Sequence, residues 1–284
     1  MSAMEFTNVD AKVSLAEIPT IPPTGVKKEE IEAEFQQFGQ ELFELQDLLF
    51  ASRANSVLIV LQGRDTAGKD GTVKHVTSFL IPRGVQVVSF GIPTEEEQQH
   101  DFLWRVHKHA PRHGEIAIFN RSHYEDVLVP RVRQAIPESA WRSRYDAINS
   151  FEKTLFRDGT IVIKFFLHIS IEEQEQRLLD REKDPKKSYK LSTEDWKARS
   201  LWNEYTEANE EAISRCSSPE APWLIVPSDK KWYRNYVVCK TVVQILRPYR
   251  KAWEDQLLAV GARKREELEL YRASLAGKGH KKSK

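Results

Sequence analysis

Residues 61 to 76 read LQGRDTAGKDGTVKHV, and the front of this stretch has the spacing of a phosphate-binding loop. Gly63, four residues, then Gly68-Lys69 would let successive backbone N–H groups converge on an anion. Lys69 would bridge two phosphates, and a helix N-terminus would add its partial positive charge. The stretch then departs from the pattern. Asp70 follows the lysine where such loops carry a hydroxyl for Mg2+, and a second acid, Asp65, lies inside the loop. A carboxylate repels phosphate unless a cation lies between them, so Asp65 predicts Mg2+ at this loop. Asp70 is read more plainly, as an acid favouring the N-terminal end of a helix. Thr72, two positions late, is a weak substitute for the missing hydroxyl.

Two further constellations could serve the same anion. In IAIFNRSHYEDVLVPRVR (116 to 133), Asn120 stands at a strand end where an acid would be usual, and Arg121 follows at once. Glu125-Asp126 come next, with Arg131 and Arg133 beyond, giving guanidinium for phosphate and carboxylate for metal at the carboxyl edge of a sheet. The alternative is a capped surface helix laced with ion pairs. The third stretch, DREKDPKKSYKLSTEDWKARS (180 to 200), is basic and includes Arg181 and Lys190. It is either a solvated face or a mobile cationic lid that closes over reacting phosphates. His107, His109 and His113 have no metal-ligand spacing.

These groups need elements to hold them. SVLIVLQ (56 to 62), VQVVSF (85 to 90), GEIAIFN (114 to 120), TIVIKFFLHIS (160 to 170) and WLIVPS (223 to 228) read as strands, several of them continuous apolar runs suited to a sheet covered on both faces. Helical spacing fills 27 to 53, the segment after Lys69, 122 to 133, 137 to 157, 199 to 215, a stretch from Trp232, and 250 to 275. A helix opens near Glu95 behind Thr94, and Ser170 with Glu173 has the form of a capping box. The alternation predicts an α/β fold, a three-layer α/β/α sandwich with a mainly parallel sheet. Residues 1 to 28 read as an arm without a core of its own, 29 to 250 as the main domain with a lid at about 182 to 200, and 251 to 284 as a helix with a basic tail.

Composition narrows the partners. Net charge is +1 over 284 residues, which argues against a face devoted to nucleic acid. Cys216 and Cys239 are too few for a disulfide framework or metal cluster. No apolar run is long enough for a membrane span, and no signal peptide is evident, so the cytoplasm is the expectation.

The ordered motifs GRDTAGKDGT, SFGIPTEEE with DFLWRVH, FNRSHYEDVLVPRV, KFFLHIS, DREKDPKKSYKLSTEDW and APWLIVPSDKKWYRN together resemble the polyphosphate kinase 2 family over about residues 30 to 250. Gly63, Asp65, Gly68, Lys69 and Gly71 match its G-x-D-x-x-G-K-x-G loop one by one. The resemblance implies a P-loop nucleoside-triphosphate-hydrolase-like fold with a helical lid, and phosphoryl transfer between inorganic polyphosphate and a nucleotide (AMP, ADP or ATP). It also implies Mg2+ dependence and a homo-oligomer, dimer or tetramer. It assigns catalysis to Asp65, Lys69, Arg121, Asp126 and Arg181, with metal at Asp65 and Asp126. Phosphate or nucleotide contacts are expected from Gly63, Arg64, Ala67, Gly68, Lys69, Gly71, Thr72, Asn120, Arg131 and Lys190. The NRSHYED form is similar to members that also accept nucleoside monophosphates, and Tyr189 stands where the family's lid often has Trp. An ATP-dependent small-molecule or nucleotide kinase and a non-catalytic polyphosphate-binding protein remain alternatives.

Overall fold

A computed structural model of the chain describes residues 4–6 and 12–279. The other residues of the N-terminal arm and residues 280–284 of the basic tail lie outside the described residues. Strand β1 (Met4–Phe6) pairs antiparallel with the edge of the sheet. Then follow α1 (Lys28–Ser52), β2 (Ser56–Gly63), α2 (Lys69–Thr77), β3 (Val85–Ser89), α3 (Glu95–Gln98), α4 (Trp104–His107), β4 (Ile116–Asn120), α5 (Glu125–Val132) and α6 (Glu138–Arg157). The second half runs β5 (Thr160–His168), α7 (Ile171–Lys183), a 3-10 turn at Pro185–Lys190, α8 (Thr193–Ser200), α9 (Trp202–Arg215), β6 (Trp223–Pro227), α10 (Lys231–Leu246) and α11 (Arg250–Gly279).

The sheet order is β1-β6-β5-β2-β4-β3, with the last five strands mutually parallel. Strand β2 lies between β4 and β5, where the winding reverses, so its carboxyl end opens into a crevice. Two-residue periodicity explains the layers. Val57, Ile59, Leu61, Ile163 and Phe165 face a core built with α1, α2 and α10, while Leu58, Val60, Phe119, Val162 and Phe166 face a second core built with α5, α6 and α9. The expected three-layer α/β architecture is present.

Details differ from the sequence expectation. The helix opening at Glu95 closes after Gln98, although Thr94 and Glu97 form a complete capping box. Asp101 competes by accepting from the Leu103 N–H at 3.0 Å, which restarts the chain as α4. The Ser170 box is half-formed: its hydroxyl accepts from Glu173 N, but the Glu173 carboxylate turns to Arg177 at 2.8 Å. The arm has no separate core, yet Val13, Leu15 and Ile18 are buried in the second core. At the other end, Trp253 is fully buried and donates to Asn55 at 2.8 Å, so α11 begins inside the main domain and then projects.

Candidate active site

The loop after β2 is shaped by glycines and held by side chains from α7 and α10. Gly63 has φ 144°, and a Cβ there would lie 2.6 Å from the Leu167 carbonyl oxygen. Gly68 has φ 104°, and a Cβ would lie 1.8 Å from an Arg234 nitrogen. Between them Thr66 adopts φ 65°, unusual for a residue with a branched side chain. Arg177 of α7 donates to the carbonyls of Thr66 (2.9 Å) and Ala67 (3.2 Å), and with its other nitrogen to Ser228 and Asp229, both 2.8 Å. Arg234 of α10 donates to Ala67 O at 2.9 Å, and Gln174 to Asp65 O at 3.3 Å. Carbonyls held in this way fix the shape of the loop, as an anion nest requires.

The loop borders a cavity of about 780 Å³ at the carboxyl end of the sheet, lined by Asp65, Gly68, Lys69, Asp70, Gly71, Asn120, Arg121, Arg181, Lys190 and Asp195 among others, with Arg177 and Arg234 also reaching its wall. The cations that the sequence singles out are each matched. Arg121, at φ 63° just past β4, donates to Asp65 Oδ1 at 2.7 Å. Arg181 meets Asp195 of α8 at 2.8 Å, and Lys190 meets Asp70 at 2.5 Å. Lys69 curls onto the carbonyls of Gly63 (2.6 Å) and Arg64 (3.1 Å). Asn120 completes the second acid's partners, donating to Asp70 at 2.8 Å. Helix α8 is anchored by Arg133 to Glu194 at 2.8 Å and by Arg199 to Glu175 at 2.6 Å.

Burial pushes the Lys69 ammonium below its ordinary range, with Asp65 opposing. Burial, then the charge of Asp65, pushes the Asp195 carboxyl up. Glu125 is also raised, by burial against the pull of Arg121 and Lys69. The Lys190 hydrogen bond holds Asp70 low. For Arg121 burial is the largest influence and pulls downward, but Glu125 and Asp65 together outweigh it and raise the guanidinium.

The structure therefore gathers Asp65, Gly68, Lys69, Gly71, Asn120, Arg121, Arg181 and Lys190 around one cavity, and places six other candidates outside its lining. Asp126 does not line the cavity; it is bound to Arg105 at 2.9 Å, while its backbone carbonyl accepts from Arg144. Neighbours on a helix diverge by about 100°, and Glu125 takes the side nearer Lys69 and Arg121. Arg131 pairs with Glu211 at 2.6 Å over the Trp141 ring. Arg64 stacks 3.9 Å from the Trp202 ring and donates to that residue's carbonyl. Thr72 is fully buried, with its hydroxyl on Gly68 O at 3.2 Å, and Ala67 is buried beneath the loop. Gly63 contributes a carbonyl to Lys69 and sits at the base of the loop.

Sequence reasoning missed Arg177, Arg234 and Asp195. Arg177 lies one helical turn before Arg181, and that i,i+4 spacing was the available signal. Among the described residues no three His, Cys, Asp or Glu side chains form a ligand cluster. Mg2+ does not require one, since it takes one or two carboxylates and fills its octahedron with water and phosphate oxygens. Asp65 and Asp195 line one cavity and are near enough for one charge to lift the other's pKa, so this donor set fits that ion.

Residues 25–253 match the family model described as Polyphosphate kinase 2 (PPK2). An AMP/ADP-polyphosphate phosphotransferase of Meiothermus ruber is 49% identical over 207 residues, spanning 73% of this chain and 78% of the relative. An ADP-polyphosphate phosphotransferase of Rhodopseudomonas palustris is 37% identical over 272 residues, 91% of this chain and 93% of the relative. The crystal structure of Polyphosphate Kinase 2 from Arthrobacter aurescens superposes with a TM-score of 0.81 at 38% identity, covering 87% of this chain and 92% of that one.

Proposed function

Because the chain belongs to the polyphosphate kinase 2 family, we infer that it is a polyphosphate:nucleotide phosphotransferase, moving a phosphoryl group reversibly between inorganic polyphosphate and ADP or AMP. The observation that carries the reading is the cleft itself, where Lys69, Arg121, Arg181 and Lys190 line one cavity and each is held by an acid or a carbonyl. Phosphates entering the cavity would exchange these partners for their own oxygens. A phosphoanhydride is already an activated donor, so the protein's task is positioning and charge neutralisation. Lys69 and the loop N–H groups hold donor oxygens, Arg121 and Arg181 neutralise the transferring group from two sides, and the lid from Pro185 to Ser200 excludes water. Asp65 and Asp195 would hold Mg2+, which when bound screens phosphate charge from the two carboxylates.

Acceptance of AMP beside ADP is supported by the NRSHYED stretch and by the name of the Meiothermus ruber relative. A homo-oligomer belongs to the same proposal, supported by the exposed apolar residues Leu258, Leu270 and Tyr271 on the projecting α11, and light scattering would give its mass. So does a cytoplasmic site, which suits two buried free thiols. No described helix is long and apolar enough to cross a membrane.

Incubation with AMP, ADP, Mg2+ and polyphosphate, followed by separation of the nucleotides, tests the function. ADP and ATP should appear only with polyphosphate. Consumption of ATP with indifference to polyphosphate would favour an ordinary kinase, and no conversion a binding protein.

A further inference from the structure

A second charge cluster lies away from the cleft, inside the apolar core on the α6 face of the sheet. Lys164 of β5, His123 and Tyr124 are wholly buried, and Glu152 of α6 nearly so. Lys164 Nζ donates to Glu152 Oε2 at 2.6 Å, to the Tyr124 hydroxyl at 3.1 Å and to the Cys216 carbonyl at 2.5 Å. Glu152 Oε1 accepts from the Tyr124 hydroxyl at 2.8 Å and lies 3.2 Å from His123 Nε2. Glu152 can only accept, so His123 Nε2 carries a proton and donates to it, while Nδ1 is buried without a partner. Burial alone would raise the Glu152 carboxyl, yet Lys164 and His123 together hold it below its ordinary range.

Stability does not account for this arrangement. Desolvating such a pair costs several kcal/mol, and apolar side chains of similar volume often do as well or better. Its position is more telling. His123 and Tyr124 are consecutive, and they immediately follow Arg121 and Ser122 in the short bridge between β4 and α5. Both rings end on one carboxylate oxygen, and Tyr124 N further bonds Ser122 Oγ at 3.3 Å. Arg121 takes its left-handed φ of 63° at the sheet end of this bridge, where its N–H donates to Leu61 O at 3.0 Å and its guanidinium lies 2.7 Å from Asp65. A non-glycine residue holds such a conformation only where its surroundings over-determine it.

We propose that the buried Lys164–Glu152 pair, through Tyr124 and His123, is a positioning device for Arg121: it fixes the turn that delivers the guanidinium to the cleft. The proposal rests on the phosphotransfer reading only for the activity in which Arg121 is measured. The test is an apolar exchange, Tyr124→Phe/Glu152→Leu/Lys164→Met, made in the natural chain and in Arg121→Lys. The exchange should keep a cooperative thermal transition and KM within a few-fold, and lower kcat by about tenfold to a hundredfold, the scale of a small misplacement of a reacting group. In the Arg121→Lys background it should cost little more, because both changes disable the same contact. Full kcat after the exchange, or the same fold-loss in both backgrounds, overturns the proposal.

Should the triple variant not fold, Tyr124→Phe removes one hydroxyl and leaves the ion pair. It should lower kcat severalfold in the natural chain and not in Arg121→Lys, and equal losses overturn the proposal again. A crystal structure of the folded variant decides the matter without turnover: the Arg121 guanidinium should leave Asp65, and an unmoved pair overturns the proposal. A natural chain that binds tripolyphosphate and forms no product would sink the functional reading alone.

Discussion

Four arginines line the cleft at the phosphate loop, two turned back onto backbone carbonyls and two turned forward onto carboxylates, and they do opposite things. Arg177 and Arg234 are buried and spend their donors on backbone carbonyls, fixing the shape of the loop. Burial holds the Arg234 guanidinium down at about 10, a further sign that it is structural rather than a charge offered to solvent. Arg121 and Arg181 are partly exposed and pair with the carboxylates of Asp65 and Asp195. A carbonyl cannot leave its arginine without breaking the loop, whereas a carboxylate can be exchanged for a phosphate oxygen. One residue type thus supplies rigidity in one pair and replaceable charge in the other.

The sharpest way to break this comparison is Arg177→Met. It strands three carbonyls, those of Thr66, Ser228 and Asp229, leaves Ala67 O to Arg234 alone, and leaves Glu173 unpaired. Removing one member of a buried charged network costs about 3–5 kcal/mol, so the thermal transition should fall by roughly 10 °C and activity should fall with it. A transition within about 2 °C of the natural chain would mean that the carbonyl-bound arginines are not braces.

At the cations offered to phosphate the effects should separate. Arg121→Ala should lower kcat by about 10²- to 10³-fold with the thermal transition nearly unchanged, since an exposed, exchangeable pair adds little to stability. Lys69→Ala should abolish transfer in a chain that still folds, at a lower transition because two loop carbonyls lose their donor. Loss of the fold in either variant would erase the distinction between the two roles.

This division explains which parts are legible in the sequence. Strand runs such as SVLIVLQ and the glycine spacing of the loop are local signals, and both the sheet and the loop follow them. Arg121, Arg181 and Lys190 are readable because they stand in motifs rich in charge. Arg177 and Arg234 are not: each looks like a solvated helix residue until the fold brings α7 and α10 against the loop. The sequence expectation favours Asp126 over Glu125 because sequence alone does not phase a helix against a sheet edge. Asp70 reads as a helix-end acid, and only the packing of the chain beyond α7 shows that it also holds Lys190. Lys164 sits in an apolar strand, where nothing local announces a buried pair with Glu152.

The smallest effect sharpens the comparison most, because it changes sign with conditions. Burial, then the charge of Asp65, raises the Asp195 carboxyl above its ordinary value of 3.8 in the folded chain. The folded state then binds more protons than the unfolded state across the interval between the two values. The contribution to stability is fully present below about 3.8, is lost as pH rises through the raised value, and stays lost at neutral pH. Asp195→Asn should therefore raise the transition of the ligand-free chain by about 2 °C near pH 7, and by nothing below the ordinary aspartate range. With Mg2+ and tripolyphosphate added the order should reverse, since a ligand that needs the carboxylate stabilises the natural chain more. An Asp195→Asn variant that is less stable at pH 7 without ligand would show the Arg181 pair to be a brace, and the two kinds of arginine would then differ only in exposure.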